Sequence, residues 1–304
     1  AKISYSNCFG FAKASKKFDL LNANEFVEIA NEKFANINNT NKYAVVDPNG
    51  VNTDWQSVIL RNAFQQNHNL SVSGATNQTN YFISLGYTDM DGIVVANDLK
   101  KYNFRGKLEQ KTLNNHLTLG TNLAVAYNIN NGLNTGTNAL SGNVGGAIRA
   151  FPNVAPKNTD GSWNLSADNA RLGKGPNLRE IDDNYTNQAF VLANNIFRSQ
   201  GMNLTGNAFA KVMIIEGLNV TTQIGVNYLN VEDFWFYSPI HGDGRGSNGI
   251  VEQAFSPTFR YNWLNTVDYT KVFNEHSINV VLGHEAQKTR SRFLDGSGTN
   301  LSNV

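Results

Sequence analysis

The chain has 304 residues, a formal net charge of +1 and a charged fraction of only 16%. Near-neutral charge without a Lys/Arg cluster argues against nucleic acid as a partner, and 40% hydrophobic residues exclude a disordered chain. No apolar run approaches the ~18 residues of a membrane helix, so any membrane crossing must use strands.

The N-terminal run Ala1–Lys13 alternates between apolar and polar residues and predicts a first strand with two unlike faces. The single Cys8 cannot form an internal disulfide and is interpreted as a small strand residue. The sequence shows no start Met, signal peptide or lipidation motif. We therefore expect it to be an internal piece of a longer protein.

The segment 14–66 contains the one good helix pattern, which starts after Asn22 or Asn24, either of which can cap it. The predicted helix has an apolar stripe made of Phe26, Ile29 and Phe34. We expect this helix to pack on its own loop.

Four long alternating runs follow between Asn67 and Asn128, and further runs lie between Met202 and Glu285. Strands of soluble sandwiches usually have about 5–6 residues, whereas strands that cross a bilayer need roughly 9–11 and lie between aromatic girdles. Tyr261 and Tyr269 lie on one face, roughly 20 Å apart in height at the usual rise and tilt. The pattern favours a transmembrane barrel over a soluble β protein.

Short and long connections alternate along the predicted strands. Tight turns lie near Thr76, Asn114, Gly217 and Asn274, while the connections 14–66 and 129–195 are long. Because outer-membrane barrels have short periplasmic turns and long outer loops, we expect both long connections to be extracellular. The pattern gives nine antiparallel strands, which cannot close alone, so the rest of the barrel must lie beyond Val304.

Motifs for chemistry are weak. The Gly-rich stretch Gly242–Gly246 lacks the strand and helix of a phosphate loop, and Asp89–Gly92 lacks the downstream Glu of a calcium loop. No two histidines have metal-ligand spacing, and no catalytic motif appears. We expect no enzyme, metal or cofactor.

Substrate contacts are expected from long loops and polar-face aromatic residues. Trp235 is the better candidate, because it falls on the polar parity while its neighbours fall on the apolar one; Trp163 lies in the long connection 129–195. For both tryptophans the alternative is a packed loop or girdle residue. The stretch around Tyr185 suits contact with a ligand or a partner, and its candidates are Arg179, Asp182, Asp183 and Tyr185.

Several stretches resemble the SusC/RagA family of TonB-dependent outer-membrane transporters, in the family's order along essentially the whole chain. The resemblance fades between about Asn130 and Asn195. The stretches are His68–Tyr87, Asp91–Val94, Lys101–Arg105, Phe18–Phe26, Thr53–Trp55, Glu216–Leu218 and Leu282–Glu285.

The resemblance implies an all-β, 22-stranded transmembrane barrel in the bacterial outer membrane, of which residues 1–304 form the N-terminal part. It implies a plug domain that contacts TonB, which is not in this sequence, and a SusD-like lipoprotein lid over the outer mouth. The implied function is active import of a glycan or an oligopeptide. A passive porin or structural barrel is the alternative, and a secreted β-rich binding protein is a third reading.

Overall fold

The structure is a computed structural model that describes residues 1–37, 42–134, 142–179 and 185–302. Its main feature is one antiparallel sheet. The strands are β1 (Lys2–Ala12), β2 (Ala63–Ala75), β3 (Thr79–Asp91), β4 (Asp98–Thr112), β5 (Leu117–Asn131), β6 (Ile196–Ile215), β7 (Leu218–Tyr237), β8 (Ile250–Phe255), β9 (Thr258–Phe273), β10 (His276–Ser291) and β11 (Leu294–Thr299). The α-helices are α1 (Ala23–Asn36), α2 (Trp55–Ile59), α3 (Gly142–Arg149) and α4 (Gln188–Asn194).

The eleven segments make nine continuous strands, as the sequence predicts. β8 and β9 both pair with β7 and are separated by Ser256 and Pro257, and β10 and β11 continue each other on the far side. Proline has no N–H to donate to a ladder, so the pairing is interrupted there. Ser256 N–H donates to Val231 O at 2.9 Å, and Arg292 N–H donates to Pro257 O at 3.0 Å, which holds the interrupted strands in line.

The sheet has one apolar and one polar face, and the strand register aligns each kind of residue in rows. One apolar row crosses eight strand segments through paired residues: Tyr5, Leu70, Leu85, Phe104, Val125, Leu204, Tyr228 and Phe259. These side chains are not covered by protein; Leu85, for example, is 54% exposed. An apolar face of this extent requires a nonaqueous neighbour.

Aromatic rings line the apolar face toward the long connections. His68, Tyr87, Tyr102 and Tyr127 form one cross-strand row with ring centroids 5.3–6.4 Å apart. Rings of this kind mark the boundary between the hydrocarbon and the headgroups in membrane barrels. Among the described helices, none is long and apolar enough to span a membrane.

Helix α1 begins where the sequence predicts. The Asn22 side chain accepts hydrogen bonds from the backbone N–H groups of Asn24 and Glu25. The Glu25 carboxylate in turn accepts from the Asn22 N–H, which completes a capping box. The predicted stripe is wrong at Ile29, which is 52% exposed. Asn31 docks the helix by two hydrogen bonds to the backbone of Ala44, so the packed face is shifted away from Ile29.

Candidate functional site: the polar face and the loop cap

The polar face encloses a hollow of about 580 Å³ in the middle of the sheet. Three cations line it: Arg105 and Lys107 on β4, and Arg260 on β9. In the part of the chain that the structure describes, no carboxylate lines this hollow. Its other polar lining residues are amides and hydroxyls, namely Asn122, Thr205, Asn207, Gln223, Asn227 and Asn262. Such a surface can hydrogen-bond a hydrophilic solute or a polar protein segment.

The long connections pack together at one end of the sheet. We call the described residues of 13–62, 92–97, 132–195 and 238–249 the loop cap. Its apolar core joins residues from three connections that are far apart in sequence: Trp55, Ile59, Val94, Ala147, Ala150, Val154, Leu172 and Leu192. The sheet itself buries almost no large apolar side chain, so the folded core of the chain lies in the cap.

Arg61 fixes the loop cap to the sheet. Its guanidinium pairs with Asp91 at 3.1 Å and donates to the carbonyls of Gly92 and Asn97 at 3.0 and 2.9 Å. Because one planar side chain satisfies three acceptors, the connections 13–62 and 92–97 hold a fixed orientation relative to each other.

The segment before α1 is held by side chains around α2. Gln56, itself buried, donates to the carbonyl of Phe18 and accepts from its N–H, both at 2.9 Å. Asp54 caps α2 through Ser57 N–H and binds Lys17 at 2.8 Å. Partial burial alone raises the pKa of Asp54, but the hydrogen bonds from Lys17 and Ser57 outweigh it and lower the pKa to about 2.

His241 is completely buried and joins the 238–249 connection to the 132–195 connection. Its Nε2 accepts from the Asn187 N–H at 2.8 Å, and its Nδ1 lies 2.6 Å from the carbonyl of Asn169. This pairing assigns the neutral tautomer with the proton on Nδ1. Burial lowers the pKa of His241, and the Asn169 carbonyl only partly opposes this. No pattern in the sequence around His241 indicates that this side chain is internal.

The four predicted substrate residues that the structure describes each contact different neighbours. Trp163 packs edge-on against Phe190 at 5.5 Å, with Lys157 over its ring at 4.6 Å. Arg179 lies 4.0 Å over the ring of Tyr43.

Tyr185 packs edge-on against Phe151 at 5.4 Å. Trp235 lies apart on β7, 41% exposed, in register with Phe197 and Glu252. Asp182 and Asp183 lie outside the described residues. The substrate role of all six residues stays a prediction.

Sequence parity places Arg105, Lys107 and Arg260 on the polar face, yet only the register shows that they share one hollow. Within the described ranges, no group of three or more His, Cys, Asp or Glu side chains is placed to hold a metal ion.

A two-faced antiparallel sheet with tight turns at one end and a packed cap at the other is the architecture expected for part of a β-barrel wall. The chain is homologous to TonB-dependent receptors. It is 25% identical over 311 residues to the TonB-dependent receptor SusC of Bacteroides thetaiotaomicron, covering 97% of this chain and 29% of the receptor. It is 23% identical over 295 residues to the TonB-dependent receptor P3 of Formosa agariphila, covering 95% and 27%.

Solved structures agree on the fold. The structure of the RagAB peptide transporter superposes with a TM-score of 0.71 at 18% identity, over 99% of this chain and 36% of that chain. No family model matches the sequence. The chain spans less than a third of the length of the two curated relatives described above.

Proposed function

We propose that the full-length protein imports a nutrient actively across the bacterial outer membrane, with energy supplied through TonB. The observation that carries this proposal is the two-faced wall, which is homologous to TonB-dependent receptors along 97% of the chain. The apolar face meets acyl chains and the polar face lines a path for hydrophilic solute. The protein is therefore a transporter rather than an enzyme.

The loop cap supports a receptor role at the cell surface. Its core residues and the Gln56, Asp54 and His241 contacts give the long connections a fixed shape. A fixed outer surface can hold a substrate or a partner with little loss of conformational entropy. We place a SusD-like lipoprotein lid on this cap, and a glycan or an oligopeptide beneath it. The similarity to a peptide transporter favours neither nutrient, because at 18% identity it reports the fold alone.

Deletion of the plug domain in the full-length protein tests the function. An active importer should lose growth on its nutrient and become a leaky, unselective pore, while the amount of folded barrel in the outer membrane stays unchanged. Selective uptake without the plug would instead show that the lumen itself selects, as in the passive porin that is the second candidate.

Protease accessibility tests the orientation. A cleavage site at Asp160–Gly161, in an exposed turn of the cap, should be cut in intact cells. The same site at the tight turn Asn274–Glu275 is the matched control and should be cut only after lysis. The reverse pattern would invert the topology.

A further inference from the structure

Two basic residues lie on the apolar face of the sheet, at the end of β10 that is far from the tight turn. Lys288 is paired with Tyr261, and Arg290 is paired with Phe259. Directly opposite residues of an antiparallel pair point to the same side of the sheet. Both cations therefore lie on the face that carries the aromatic rings and the uncovered apolar side chains.

These cations lie at the level where the apolar band ends. Val280, on the same face of β10 as Lys288 and 47% exposed, is paired with Tyr269. The height of roughly 20 Å between Tyr269 and Tyr261 therefore applies to β10 as well. Lys288 lies at the outer boundary of this band, and Arg290 lies about 5 Å further out, at the level of lipid headgroups.

In the described part of the sheet, no carboxylate shares a cross-strand row with these cations. Their two rows continue on β7 to Tyr228 and Val226, which carry no charge. No ion pair among the described residues uses Lys288 or Arg290, and both side chains are exposed. Cations without a protein counter-charge at this level attract anionic headgroups.

We propose that Lys288 and Arg290 bind the phosphate of an outer-leaflet lipid, whose acyl chains lie against the aromatic rings of β9. The inference rests on the proposed function, because that function places the apolar face in an outer membrane with this end of β10 toward the cell exterior. The two Cα atoms are roughly 6.6 Å apart along the strand, so both long side chains can reach one phosphate. The guanidinium can donate two hydrogen bonds to it, and the ammonium supplies a second charge.

The surroundings of the cations favour a lipid over free phosphate or an acidic protein segment. An ion pair in open water contributes little, so a free phosphate would be held weakly at this exposed position. Tyr261, 42% exposed beside Lys288, needs an apolar cover that neither a free phosphate nor a carboxylate supplies. A lipid covers the ring with its chains, which continue the acyl layer around β9 and β10, and brings its phosphate to the cations.

Native mass spectrometry of the full-length protein in detergent, titrated with phosphatidylglycerol, tests the site. Lys288→Gln or Arg290→Gln should weaken the tightest lipid binding roughly fivefold, since each basic residue near an anionic surface contributes about that factor. The double variant should weaken it by more than about tenfold. Lys101→Gln, next to Tyr102 but on the polar face, is the matched control and should leave the binding unchanged. Gel mobility of the unheated protein verifies that each variant folds.

A photocrosslinking residue at Ala286, on the same face two positions before Lys288, identifies the ligand in intact cells. We expect an adduct with the mass of a phosphate-bearing lipid, in lower yield when Lys288 and Arg290 are both replaced by Gln. Unchanged lipid binding in the double variant, capture of a protein segment, or displacement of the lipid by an equal concentration of inorganic phosphate would overturn the inference. A lipid adduct in a protein that supports no nutrient-dependent growth would leave the lipid site standing and refute the import function.

Discussion

His241 should make the loop cap sensitive to acid. Because its Nε2 accepts from Asn187 and its Nδ1–H donates to Asn169, a second proton on Nε2 would face an N–H donor inside the cap. The charges of Arg245 and Asp168 act on its pKa in opposite directions, and burial is the largest effect and lowers the pKa. The pKa in the folded state therefore lies below the ordinary value of 6.5.

The direction of the pH effect follows from the lowered pKa of His241. Well above pH 6.5 the histidine is neutral in both the folded and the unfolded cap, and its contribution to the stability of the cap is fully present. As the pH falls below 6.5 the unfolded cap takes up a proton that the folded cap resists, so stability falls by about 1.4 kcal/mol per pH unit until the folded-state pKa is reached.

Substitution separates the titration from the packing. His241→Ala removes the ring and leaves the buried Asn187 N–H without its acceptor, which should cost roughly 1–3 kcal/mol. His241→Gln keeps an acceptor and cannot titrate, so it should abolish most of the pH dependence at a smaller cost. His276→Gln, at an exposed position at the start of β10, is the control.

Hydrogen exchange at residues 185–195 measures the local opening free energy of the cap in the full-length protein. After correction for intrinsic exchange rates, protection in the wild type should fall between pH 7.5 and 5.5, and His241→Gln should flatten this response. Equal protection at both pH values in the wild type would refute the assigned tautomer.

Four further substitutions test the two-faced sheet and the loop cap. Leu123→Arg should destabilise the folded barrel in bilayers by roughly 2–4 kcal/mol, whereas Asn122→Arg should be nearly neutral. Equal losses of stability for the two variants in urea titrations would contradict the assignment of the two faces. Asn22→Ala removes the cap of α1 and should raise hydrogen exchange in that helix by the equivalent of about 1 kcal/mol, and unchanged exchange would show that the cap is dispensable. Gln56→Leu should free the backbone of Phe18 to protease at neutral pH, with the amount of inserted barrel unchanged.

The local sequence pattern was sufficient to predict the two-faced sheet. Side chains alternate between the two faces of a strand, so the period of two identifies the strands, and adjacent residues such as Leu123 and Asn122 must lie on opposite faces whatever the register. The start of α1 was equally local, because Asn22 and Glu25 satisfy each other within one turn. The predicted count of nine strands is correct despite the interruption at Pro257, because the two segments β8 and β9 both pair with β7.

The loop cap and the cation-lined hollow of the polar face could not be predicted without the tertiary structure. Trp55, Val94 and Leu192 share a core although they lie in three different connections, and irregular backbone has no period that would announce such packing. His241 becomes internal only because Asn169 and Asn187 fold around it. Parity is a property of single strands, whereas the alignment of charges across five strands and the burial of loop residues depend on contacts between segments distant in sequence.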